Sequence, residues 1–161
     1  MEQEKYTFID VCQQDFDGIE IPIIQRDYAQ GREKEEKKRD RFLKALLRAV
    51  NSEKGITLDF VYGSVIDKKL VPLDGQQRLT TLFLLHWYAA KRENIPAGQW
   101  EVLKKFSYAT RPSARRFCEQ LLVFVPDFYT EKSLSEQICN EAWFPMAWND
   151  DPTVEGMLRM L

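Results

Sequence analysis

The apolar positions of this chain fall into blocks whose spacing changes from element to element. The longest block is Leu79, Leu82, Phe83, Leu84, Leu85, Trp87, Tyr88, Ala89 and Ala90. It is hydrophobic on nearly every face of a helix running to about Lys91, the pattern of a buried helix. Just before it, Leu70-Val71-Pro72-Leu73 reads as a short strand and Asp74-Gly75 as a turn. Leu58 to Ile66 also carries strand propensity, and Asp67-Lys68-Lys69 joins the two strands into a hairpin. Upstream, Gly31 to Glu36 opens a charged helix extending to about Val50. Its apolar face is Phe42, Leu43, Leu46, Leu47 and Val50, at i, i+1, i+4, i+5 and i+8. Gly18-Ile19-Glu20-Ile21-Pro22 is a brief strand that Pro22 ends or confines to a sheet edge. Around Tyr6, Phe8, Ile9 and Val11 the pattern fits a helix or a strand equally well.

Beyond the buried helix, Asn94 to Gln99 reads as a loop and Ser113 as the cap of a helix reaching about Phe124. That helix buries Phe117, Leu121 and Leu122. Residues 127–155 are acidic and aromatic, and Trp143, Phe144, Pro145, Met146 and Trp148 suit a packed core. Val154, Met157, Leu158 and Leu161 then form a fresh helical stripe with no cap after it. The expectation is a fragment, or a last helix that packs on a further domain. The fold class expected is α+β, a small mixed sheet in the N-terminal half covered by helices, with a helical C-terminal part.

Composition narrows the picture. The chain has 161 residues, 44% hydrophobic and 30% charged, with a net charge of −2, as in a water-soluble globular domain able to bury a core. No run approaches the roughly 18 apolar residues of a membrane span. Met1-Glu2-Gln3-Glu4-Lys5 lacks the basic start and apolar core of a signal peptide, so a cytoplasmic location is expected. Cys12, Cys118 and Cys139 are widely spaced, which argues for free thiols rather than a disulfide framework or a zinc site. His86 is the single histidine and sits inside the buried helix, where a satisfied core residue is expected; one histidine excludes an HNH-type nuclease centre in this chain. No GxxxxGK[ST] loop is present, which excludes a P-loop NTPase.

Five residues between strand and helix, Asp74, Gly75, Gln76, Gln77 and Arg78, are not explained by packing. Asp74 and Gln77 have the spacing of a capping box, and Gly75 eases the turn. Arg78 does not fit that scheme, because a helix N-terminus favours acids over cations. A cation beside free backbone N–H groups suits an anion held on the helix end. Two further stretches carry cations. Between Arg32 and Arg48, eight basic residues stand against four acidic ones, which reads first as a solvated helix face and second as a nucleic-acid contact. Lys104, Lys105, Arg111, Arg115 and Arg116 are five cations with no acid among them, interleaved with Phe106 and Tyr108. They suit a phosphate backbone with a base to stack on, or equally arginines pointing to water.

Asp-Gly-Gln-Gln-Arg-Leu-Thr-Thr-Leu at 74–82, with Ile21-Pro22-Ile23-Ile24-Gln25-Arg26-Asp27-Tyr28 before it, resembles the N-terminal domain of the GmrSD-type restriction endonucleases. That family is placed in the ParB/sulfiredoxin-like superfamily. Thr110-Arg111-Pro112-Ser113 leading to Phe117, and Asp151-Pro152-Thr153-Val154 leading to Met157-Leu158, resemble later blocks, so the likeness covers most of the chain. It implies a ParB-like domain over 1–100 with a helical extension over 101–161. It also implies nucleotide binding and hydrolysis that power or gate the cleavage of modified phage DNA. Asp74, Gln76, Gln77 and Arg78 would be catalytic, with Gln25, Arg26, Tyr28, Gly75 and Thr80 around the nucleotide. GTP or another NTP is the implied ligand, with Mg2+ beside it. Modified DNA is the implied target of the full-length protein, through a separate C-terminal nuclease domain. Two readings stand: an NTP-hydrolysing module, or a ParB-like module that grips DNA backbone without turnover.

Overall fold

The computed structural model describes residues 5–22, 27–30, 33–52, 55–58 and 61–161. Gln25 and Arg26 lie outside the described residues. The chain opens with helix α1 (Phe8–Gln13), which settles the ambiguous start: Thr7 and Asp10 form a reciprocal capping box. Strand β1 (Gly18–Ile21) follows, then helix α2 (Glu36–Asn51), entered through a 3-10 turn at Glu33–Glu35. The hairpin is β2 (Tyr62–Ile66) and β3 (Lys69–Asp74). Its tight turn places Asp67 and Lys68 at positive φ, 48° and 60°, the double left-handed geometry that matches the twist of hairpin strands.

Helix α3 (Gln76–Arg92) is the buried helix of the pattern. The stretch expected as a loop holds the short helix α4 (Ala97–Trp100), followed by a 3-10 turn at Glu101–Lys105 and strand β4 (Phe106–Tyr108). Helices α5 (Pro112–Val123), α6 (Leu134–Cys139) and α7 (Pro152–Met160) complete the order. The sheet order is β2-β3-β1-β4; β1 runs parallel to β3 and β4, and β2 is antiparallel to β3. The fold is therefore α+β with a mixed sheet. Pro22 ends β1, which lies inside the sheet rather than at its edge.

Leu79, Phe83, Leu84 and Trp87 of α3 are buried at the centre of the core, which also takes Ile19, Phe106, Phe117, Leu121, Val154 and Met157. Residues on both sides of position 100 thus share one sheet and one core. Phe83 stacks on Phe106 at 4.7 Å between ring centroids, and the Trp87 indole donates to Leu121 O at 2.7 Å. The late aromatic run forms a cluster in which Phe117, Trp143, Phe144 and Trp148 meet mostly edge to face. Pro145 and Met146 stay exposed at its rim. The α7 stripe is used here: Val154, Met157 and Leu158 are buried against this core. His86 is half-buried, and its Nδ1 donates to Leu82 O at 2.7 Å.

The exception is α2. None of its residues is buried, and its expected apolar face is only half covered at Phe42, Leu43 and Leu46. Leu47 and Val50 are exposed. Leu43 reaches a cleft of about 220 Å3 shared with Leu84, Leu85 and Tyr88 of α3 and with Met160 and Leu161.

Candidate functional site

Strand β3 and helix α3 meet in a single residue, Gly75, at φ 89°. That conformation disfavours any side chain. A Cβ there would also stand 2.9 Å from Val61 Cγ2 and 3.4 Å from an Arg78 nitrogen. Gly75 itself is the N-cap of α3 and has no side chain with which to cap the backbone N–H groups of the first turn. The capping-box reading of Asp74 and Gln77 is thereby corrected. Asp74 belongs to the strand and is exposed. Gln77 turns the other way: its Oε1 accepts from Ala29 N at 2.8 Å and its Nε2 donates to Asp27 O at 2.9 Å. It clasps the 27–29 segment to the helix.

The Arg78 guanidinium is largely sheltered, with 18% of its side chain exposed. One of its partners is Asp74, at 3.6 Å, whose own side chain is 74% exposed. Such a long pairing with a solvated carboxylate is weak. Gln76 is buried, and its Oε1 is sealed from solvent with no hydrogen-bond partner among the described residues. A buried amide oxygen without a donor is costly, by roughly 1–3 kcal/mol. The first turn of α3 thus sets backbone N–H groups beside a sheltered cation, over a buried amide oxygen that has no donor among the described residues.

Tyr28 and Thr80 lie beneath this turn rather than on its surface. The Thr80 hydroxyl donates to Gln76 O at 3.0 Å and meets the Tyr108 hydroxyl at 2.9 Å. Burial pushes the Tyr108 phenol well above its usual range. Tyr28 is also buried, its hydroxyl 2.7 Å from Thr81 Oγ1, and burial raises its pKa to about 12 in spite of that bond. Thr81 also donates to Gln77 O at 2.9 Å and bonds Gln30.

Three of the five cations of 104–116, Lys105, Arg111 and Arg115, are turned onto the protein's own oxygens, while Lys104 and Arg116 are exposed. Arg111 pairs with Asp27 and donates to Thr153 Oγ1 at 3.1 Å. Arg115 donates to Tyr108 O at 2.8 Å and to Ala109 O. Lys105 donates to Phe16 O at 2.9 Å, and Lys104 pairs with Glu101 at 2.5 Å. Arg116 is exposed. Nor does Ser113 cap its helix: Arg111 is the N-cap with Pro112 following, and the Ser113 hydroxyl donates to Asp151. Asp151 itself caps α7 through Thr153 N at 2.8 Å and Val154 N at 3.1 Å.

Asp27, Arg111, Asp151 and Thr153 thus join the blocks at 27–30, 110–113 and 151–154 behind the first turn of α3. Spacing alone did not reveal this knot, although Asp-Pro-Thr at 151–153 carries the cap-then-proline signature of a helix start. Gly156 lets α7 press onto the knot; a Cβ there would stand 2.4 Å from Tyr28 O. Among the described residues no helix is long and apolar enough to cross a membrane.

A family model described as GmrSD restriction endonuclease, N-terminal domain, matches residues 8–144. The match spans most of the chain, and the chain belongs to this family. No curated protein and no solved structure matches it.

Proposed function

We propose that this N-terminal domain of the GmrSD restriction endonuclease type binds a nucleoside triphosphate at the first turn of α3. Hydrolysis there serves a restriction enzyme that acts on modified phage DNA in the cytoplasm. Membership of the family makes the chain part of a restriction and phage-defence enzyme. The observation that supports the nucleotide reading is the sheltered Arg78 guanidinium beside the backbone N–H groups of a helix start whose N-cap, Gly75, carries no side chain. The phosphate oxygens of a nucleotide suit such a place, with helix N–H donors and a guanidinium side by side.

In this reading the N–H groups of the first turn and Arg78 hold phosphate oxygens, and Gly75 lets the backbone approach them closely. The family resemblance adds Gln25 and Arg26 to the nucleotide-binding residues. Gln77, Tyr28 and Thr80 act from behind, by holding segment 27–29 and the helix start in place. Asp74 is an exposed hard oxygen donor beside the phosphates, which fits Mg2+ held between one carboxylate and the substrate. Bound there, the ion would neutralise developing charge on the phosphates.

The test is phosphate release from GTP, ATP, CTP and UTP by the purified chain with magnesium, beside a calorimetric titration of each nucleotide. Arg78→Ala should lower release by about 100-fold or more while the melting temperature holds. Binding without turnover would remove the hydrolysis and leave a nucleotide-holding module. Absence of any binding heat would remove the whole reading.

A further inference from the structure

Helix α2 presents a row of cations that no ion pair neutralises among the described residues. Lys37, Arg41, Lys44 and Arg48 stand at i, i+4, i+7 and i+11, and all four are exposed. At about 100° per residue they fall within an arc of roughly 60°, so they form one stripe. None of them makes an ion pair among the described residues. Two carboxylates beside the row have other partners: Glu35 pairs with Lys38 at 2.8 Å, and Asp40 lies 3.5 Å from Arg39. Three successive like-charged neighbours at helical spacing repel one another. The rest of the molecule has a net negative balance, so the stripe is a local feature and not the overflow of a basic protein.

The other side of the helix says which polyanion suits it. Phe42, Leu43 and Leu46 are half-buried on the opposite face, with Leu43 in the cleft over α3 and α7. A helix that entered a membrane would point those residues outward and leave the cations at their flanks. Here the apolar side is turned to the body and the cations to solvent. The row is straight and about 16 Å long, at 1.5 Å per residue. Duplex nucleic acid offers one phosphate per roughly 3.4 Å along each strand, so the row can follow a run of them.

We infer that the Lys37–Arg41–Lys44–Arg48 stripe of α2 is a docking surface for the phosphate backbone of a nucleic-acid duplex. It reads charge and spacing rather than base sequence. The surface is independent of the first turn of α3, and its existence does not rest on nucleotide hydrolysis.

The experiment is fluorescence anisotropy of a labelled random-sequence DNA duplex against the whole chain, from 50 to 200 mM salt. The partner variant carries K37Q, R41Q, K44Q and R48Q together, with helicity checked by circular dichroism. The wild type should bind with a steep salt dependence. The variant should bind at least about tenfold more weakly, with a log–log salt slope shallower by roughly two or more. R116Q should leave both numbers unchanged, and the fourfold variant should keep whatever phosphate release the wild type shows. The assignment is overturned if the variant binds duplex as the wild type does, or if the wild type does not bind. It is also overturned if polyglutamate of equal charge displaces the duplex, or if anionic phosphatidylserine vesicles capture the chain as tightly as DNA.

Discussion

Two basic stretches of this chain look alike on paper and behave in opposite ways. Lys104 to Arg116 carries five cations and no acid, whereas α2 mixes its cations with glutamate and aspartate. By charge alone, the first is the better nucleic-acid surface. In the folded molecule Arg111 and Arg115 hold the carboxylate of Asp27 and the carbonyls of Tyr108 and Ala109. The α2 helix, in which acids are mixed with the cations, instead leaves Lys37, Arg41, Lys44 and Arg48 facing water. The difference is what lies next to each stretch. The first contains the junction of β4 and α5, where the Tyr108 and Ala109 carbonyls take up Arg115 and the Asp27 carboxylate takes up Arg111. A continuous helix satisfies its own backbone and has no such use for its side chains.

The contrast breaks first at Arg111. Replacing it with methionine keeps the length but strips a charged partner from Asp27 and a donor from Thr153. Arg111→Met should lower the unfolding free energy in urea by roughly 2–3 kcal/mol. Arg41→Met, on the outward row, should stay within about 0.5 kcal/mol. Equal costs at the two positions would erase the distinction.

Alkaline pH probes the same knot through its buried phenol. Tyr28 has its pKa raised from 10.0 to about 12 in the fold, so its neutral form is favoured there. Its contribution is whole below pH 10 and is lost as the pH climbs toward 12. Cys12, raised by burial from 9.0 to about 12, adds a loss of the same sign that begins earlier. Between pH 8 and pH 11 the stability of the wild type should fall by about 1 kcal/mol more than that of Tyr28→Phe. Parallel curves for the two proteins would show that the phenol is not sheltered.

The smallest effect has the opposite sign. Lys44→Glu interrupts the outward row and places an acid four residues before Arg48, the favourable order on a helix. It should raise stability by about 0.3–0.5 kcal/mol in low salt. The gain should shrink in high salt, where surface charge is screened. A loss would mean that Lys44 already has a stabilising role.

Much of the architecture could be read along the chain because its elements are locally consistent. The apolar wheel of α3, the hairpin before it and the α7 stripe each identify themselves by period. The turn at Gly75 was legible too, since an Asp-Gly ahead of a helix asks for a left-handed residue. What spacing could not supply was direction. Gln77 has the separation of a capping partner, yet Ala29 and Asp27, some 50 residues away, draw it off the helix end. Ser113 sits where a cap belongs, and Asp151 takes its hydroxyl. Each competitor is distant in sequence, and its claim exists only after the core has closed.

The place of β1 in the sheet has a bearing on how the molecule comes into being. The strand leaves the ribosome early, but one neighbour is made some fifty residues later and the other almost ninety. Tyr28 must wait for Thr153, 125 positions downstream. Until those segments emerge, Ile19 and Ile21 have nowhere to hide. Nascent chains should therefore be vulnerable to sticking together during synthesis, and to depend on chaperones more than a hairpin-rich domain of equal size.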